Sequence, residues 1–212
     1  MAFRNILKKE KGFSIIEMLI SIAIISLIMA VVVLNQGDFT DQFSLTTTAN
    51  DLEMQIRQAQ VFGVSVREFS PASGEFTSAY GVSVNTVNSD YQSVYIAFAD
   101  RGVKNGTYDG DISCAVGGLS ECVKKVTLTR GIKINQVCAL KSNSQADCAP
   151  IVGRADITFN RPDPAANFVL FNSAGNQNNI ANVIGVRIEL ISPKGKLKSV
   201  TVYTTGQISV SQ

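Results

Sequence analysis

The sequence predicts an α+β fold: one long N-terminal helix, with a membrane-spanning half and an amphipathic half, packed on an antiparallel β-sheet domain. Three observations predict it. The run from Phe13 to Leu34 is apolar except for a single carboxylate, Glu17. Apolar residues then recur at helical spacing as far as Gly63. Beyond Gly63 the apolar period shortens to two, the spacing of strands with one face buried.

The apolar run is 22 residues long. As a helix it rises roughly 33 Å, enough for the hydrocarbon core of a bilayer and longer than a secretory h-region. Fourteen of its residues are Ile, Leu, Val or Phe. These supply roughly −4 to −8 kcal/mol of insertion free energy, against about 2.5–3.5 for a central acidic residue. Insertion is favoured, more so because Glu17 sits near one end. Arg4, Lys8, Lys9 and Lys11 precede the run against Glu10, giving residues 1–12 a net charge of +3. The positive-inside rule then places the N-terminus in the cytoplasm and everything after Leu34 on the exported side.

The apolar run explains how Glu17 is tolerated, not why it is there. The flanking residues answer that. "KGFSIIE" (residues 11–17) resembles the processing site of type IV pilins and type II secretion pseudopilins. The resemblance implies that prepilin peptidase cuts after Gly12, that the new terminal residue Phe13 is N-methylated, and that Glu17 serves assembly. On this reading Glu17 pairs with the Phe13 amine of a neighbouring subunit, since a carboxylate and an amine are both costly in a dry environment unless paired. The implied organisation is a basic leader (1–12), a transmembrane and filament-core helix (13–34), an amphipathic continuation (35–63) and an extracytoplasmic β-rich domain (64–212). The implied partners are prepilin peptidase, other pilin or pseudopilin subunits, an inner-membrane assembly platform and, before assembly, membrane lipid. The expected location is a single pass through the inner membrane, followed by a periplasmic or cell-surface filament.

"NQGD" (35–38) interrupts the apolar run, and Gly37 is a candidate kink. Many members of the family carry a proline where this chain has Leu34, so that kink signature is missing. Phe39, Phe43, Leu52, Ile56, Ala59 and Gly63 form the expected buried stripe, with Asp41, Asp51, Glu53 and Arg57 off it. Thr46–Thr48 are poor helix formers inside this span. The helix is expected from about Ser14 to Phe62.

Strands are expected at 80–87, 93–100, 124–137, 155–160, 167–172, 183–192 and 197–210. Short connections make the sheet antiparallel, and "SPKG" (192–195) reads as the turn of a hairpin. The "YGVSV…VYIAFAD" pair, "ITF" and "VTVYTTGQISV" make the body most similar to the H-type minor pseudopilins and related minor pilins.

Cys114, Cys122, Cys138 and Cys148 all lie on the exported side, where disulfides persist. Three connectivities are possible. Cys114–Cys122 and Cys138–Cys148 are favoured because each pair brackets a Gly- or Ser-rich loop, worth on the order of 2–3 kcal/mol per bridge. Zinc is disfavoured by the lack of C-x-x-C and of histidine. The loop 99–111 gathers Asp100, Asn105, Asp109 and Asp111, an oxygen-rich set of the kind that holds calcium, but Gly102 and Lys104 occupy places where an EF-type loop needs ligands. A turn at Asn105–Gly106 is the simpler reading, and no cofactor is expected.

The chain has no histidine, so the commonest general base is missing, and no catalytic constellation replaces it. The expected function is structural: a minor pilin or pseudopilin. The alternative is a filament-associated binding module for DNA uptake, adhesion or exported-substrate contact. Beyond residue 12 the net charge is only −1. Lys124–Lys125 and Lys194, Lys196 and Lys198 are the basic clusters that a DNA contact would use. Lysines on strand edges also discourage edge pairing, which is the simpler explanation.

Overall fold

A computed structural model of the chain describes residues 12–65, 68, 69, 74, 76, 78–115 and 120–211, with Leu34 and Asn35 described by their backbone alone. The basic patch within the leader lies outside the described residues. The chain divides into two compact units, one ending at Thr40 and the other running from Asp41 onward.

Helix α1 spans Ile15–Val64, unbroken through "NQGD". In the first unit its side chains are exposed, including Phe13 just before it (85 %) and every large apolar residue from Ile15 to Val33. In the second unit Leu45, Ala49, Leu52, Ile56 and Ala59 are buried. The sequence places Phe39 and Phe43 on this stripe, and the structure overturns that: they are 72 % and 60 % exposed. At about 100° per residue, the nine-residue step from Phe43 to Leu52 is half a revolution. The true stripe advances by alternating fours and threes, which keeps to one face. Thr46, Thr47 and Thr48 remain helical by donating their hydroxyls to the carbonyls of Gln42, Phe43 and Ser44 at 2.9–3.0 Å.

Among the described residues ten strands follow: β1 (Ala79–Asn85), β2 (Val94–Asp100), β3 (Cys122–Thr127), β4 (Lys133–Lys141), β5 (Ala146–Asp147), β6 (Arg154–Asn160), β7 (Asp163–Phe171), β8 (Val183–Ile191), β9 (Leu197–Tyr203) and β10 (Ile208–Ser211). They form two antiparallel five-stranded sheets, β3-β2-β1-β6-β7 and β10-β9-β8-β4-β5, where the sequence had suggested one sheet. The α+β layout is as expected; two strand assignments are corrected. The span 124–137 breaks at Arg130 and Gly131, both at positive φ, into β3 and β4, which join different sheets. The span 197–210 breaks at Gly206 into the β9–β10 hairpin. The "SPKG" hairpin is present between β8 and β9, with Gly195 at φ +77°.

One core joins helix and sheets. Leu45, Ala49, Leu52, Ile56 and Ala59 pack in the same cluster as Val82, Val84, Ile157 and Phe159 of the first sheet and Val137, Ile188, Val200 and Val202 of the second. Arg57 and Gln60 fasten the helix to carbonyls at strand ends and a turn: Arg57 Nη2 donates to Ile208 O at 3.2 Å, and Gln60 Nε2 to Pro164 O and Gly206 O at 2.9 Å. Gly63 allows the closest approach, since a Cβ there would stand 2.3 Å from the Phe159 carbonyl oxygen.

Two neighbouring substitutions separate the faces of the helix. Leu52→Ala should cost about 2–5 kcal/mol, whereas Met54→Ala, on the exposed face, should cost less than about 1 kcal/mol. Urea denaturation of the detergent-solubilised chain checks both; equal costs would contradict the observed stripe.

Candidate functional site

The N-terminal site is built from a change of backbone. Gly12, Phe13 and Ser14 are exposed and precede the helix, so the Gly12–Phe13 bond lies in non-helical chain of the sort a protease can accommodate. Space around Gly12 is open, with nothing within 4 Å of a Cβ built there. Helical bonding begins at once beyond it: the Met18 amide donates to Ser14 O at 3.1 Å. Glu17 lies in the first turn, where unsatisfied amides and the helix dipole favour an anion. Ser21 Oγ donates to Glu17 O at 2.7 Å, bonding the backbone and leaving the carboxylate to other partners. Phe13 stands four residues before Glu17, just outside the helix whose first turn holds that carboxylate.

This end heads an apolar surface that is exposed among the described residues. Fully burying a large apolar side chain is worth about 1.5–3 kcal/mol, and fifteen such side chains from Phe13 to Val33 are exposed. The helix is long and apolar enough to cross a membrane.

The second candidate region is the loop from Arg101 to Glu121. The structure brings Asp100, Asn105 and Asp109 together, but as acceptors for the loop's own donors. Asp100 Oδ2 accepts the Gly106 amide at 2.9 Å; Asp109 accepts Thr107 Oγ1 at 2.9 Å and Asn105 Nδ2 at 3.1 Å. Asp111 turns instead to the Ser113 amide. Gly106 has φ +76°, the turn conformation expected at Asn105–Gly106. Among the described residues no group of three His, Cys, Asp or Glu side chains is arranged to hold a metal.

Sequence reasoning missed two carboxylates that hold this loop. Glu121 accepts the amides of Arg101 at 3.1 Å and Asp109 at 2.8 Å. Asp156, fully buried on β6, accepts the Tyr108 amide at 3.0 Å and is paired with Arg154, which stacks 4.6 Å over the Phe171 ring. The available signal was strand alternation: Asp156 lies between Ala155 and Ile157, so it faces away from the helix, where the loop buries it. Beneath the loop, Val94, Ile96, Phe98, Tyr108 and Cys122 form a second apolar cluster. A disulfide joins Cys114 to Cys122 over it, and another joins Cys138 to Cys148. The loop is thus a lid on the outer face of the first sheet.

Burial pushes the carboxyls of Asp100, Glu121 and Asp156 above the usual carboxylate range, although backbone amides, and Arg154 at Asp156, pull the other way. Burial also raises the Tyr108 hydroxyl to about 12. A group with a higher pKa folded than unfolded binds its proton preferentially in the fold. Its contribution to stability is complete below the ordinary carboxylate pKa and is lost as pH rises through the folded value. Asp100→Asn keeps an oxygen for the Gly106 amide and removes one such charge. Its melting temperature should fall less steeply than that of the parent between about pH 4 and 7. Melting curves across that range check this; a steeper fall would contradict the assignment.

Residues 7–33 match the family model described as the prokaryotic N-terminal methylation motif. No curated protein and no solved structure matches the chain. The matched segment contains Gly12, Phe13 and Glu17, on a chain whose long helix leads into antiparallel sheets. That motif supports a pilin or pseudopilin precursor, and the long helix leading into antiparallel sheets is a pilin-like layout.

Proposed function

We propose that the chain is a minor pilin or pseudopilin, cut after Gly12, methylated at Phe13 and assembled through its N-terminal helix. The observation that carries the reading is the pairing of two features on one segment: an apolar surface that a single copy leaves exposed, and one carboxylate in its first turn. In the bilayer, lipid covers that surface. In a filament, the helices of other copies cover it, and Glu17 is withdrawn from solvent. An unpaired buried carboxylate costs several kcal/mol, and the neighbouring Phe13 amine offsets that cost while setting the axial register. The H-type likeness of the strand motifs, the four cysteines and the long loop support a minor rather than a major subunit. The near-neutral body supports a structural role over a nucleic-acid one.

Glu17→Ala tests the assignment. The variant should enter the membrane and be processed like the parent, because removing a charge only eases insertion. Its incorporation into sheared filaments should drop by at least about tenfold, the effect of leaving the partner amine unpaired. Immunoblotting of membrane and filament fractions reads both steps. Normal incorporation would overturn the role of Glu17.

A further inference from the structure

We propose that the end of the body formed by the β8–β9 and β3–β4 turns is a basic collar that binds anionic phospholipid headgroups while the subunit waits in the bilayer. The collar rests on the reading that residues 13–34 span the membrane.

The two turns touch. A Cβ on Gly131 would lie 3.0 Å from Pro193 Cγ, so the Arg130–Gly131 turn sits against the tip of the "SPKG" hairpin. Both turns are tied to the first helical residues of the same unit. Ser192 Oγ donates to Asp41 Oδ2 at 2.6 Å, Arg130 Nη1 to Ser44 Oγ at 2.9 Å, and Lys198 Nζ to Thr46 Oγ1 at 3.1 Å. Arg130, Lys133, Lys194, Lys196 and Lys198 therefore gather at one end of the body. Asp41 is an acidic group held among them, with Asp38 one turn before it and Asp51 further along the helix, and Glu189 is engaged by Asn135 and Gln136 of β4.

Between helix and hairpin lies an open groove of about 340 Å³, lined by Gln42, Leu45, Thr46, Lys196, Leu197 and Lys198. Two ammonium groups, an amide and a hydroxyl beside two leucines suit a phosphate attached to an acyl chain better than a free ion. Chain length selects a lipid source. Asp41 lies eight positions beyond Val33, a span of about 12 Å as helix and no more than about 29 Å fully extended. Asp41, and the lysines tied beside it, are thereby tethered near the bilayer surface, where an anionic leaflet attracts Lys and Arg over a Debye length of about 8–10 Å. These lysines lie about a hundred residues or more beyond the membrane segment, so they do not compete with the leader for orientation.

Lysine acylation of the full chain in nanodiscs, read by mass spectrometry, tests this. In phosphatidylglycerol discs at low salt, Lys133, Lys194, Lys196 and Lys198 should label at least about threefold more slowly than in phosphatidylcholine discs, and high salt should abolish the difference. Lys104 and Lys124 should label alike in both. Equal rates at the collar, or equal slowing at Lys104 and Lys124, would overturn the proposal. Protection in phosphatidylcholine discs by inorganic phosphate or by duplex DNA, with none from phosphatidylglycerol, would assign the lysines to a free ion or to nucleic acid and overturn it as well. A chain that fails to enter either disc contradicts the membrane-spanning reading beneath the collar, a failure visible before any labelling is done.

Discussion

The large apolar side chains between Phe13 and Val33 are exposed, and that exposure is the constraint around which the molecule is read. Water is the one environment that segment cannot keep. On the proposed function, lipid relieves it first and other copies of the helix relieve it later, an exchange that would make a subunit both storable and assemblable. A purely apolar helix would accept either environment in any register. One carboxylate changes this, because a dry contact that leaves it unpaired is penalised, and only a neighbour offset so as to supply a positive charge removes the penalty. The specificity comes from the cost of being wrong rather than from the strength of being right.

The body carries the same logic in a milder form. Its helix presents one face to two sheets through alternating steps of four and three residues, and polar clamps from Arg57 and Gln60 fix the far end. The outer face of the first sheet is closed by a loop rather than by another sheet. That loop is held by buried carboxylates accepting its amides and by the Cys114–Cys122 bridge. Such a lid replaces a missing layer of secondary structure, which explains why acidic side chains that resemble metal ligands in sequence are engaged with the loop's own amides.

Much of this was legible in the sequence because it is local. The segment that matches the methylation motif is contiguous, the helix is long and strongly patterned, and the SPKG turn carries its own chemistry. The cysteine pairing followed the short loops that each pair encloses. What could not be read was non-local or hidden by averaging. Phe39 and Phe43 fit a loose rule of threes and fours but fall on the wrong face, because three successive steps of three turn the helix by about 180° relative to the stripe. Gly131 and Gly206 each marked a break inside an apparently continuous strand, and glycine in a strand is a recognised sign of this. The division into two sheets, and the burial of Asp156 under a distant loop, depend on which strands meet, and periodicity is silent on that.

On the proposed function, cleavage of the Gly12–Phe13 bond creates the charged terminus through which the subunit assembles. Intact-mass and N-terminal analysis of the chain recovered from cells that contain a prepilin peptidase tests it most directly. The account predicts a mature chain that begins at Phe13 and carries a single N-terminal methyl group. A chain that stays uncut, or begins at any other residue, would contradict it.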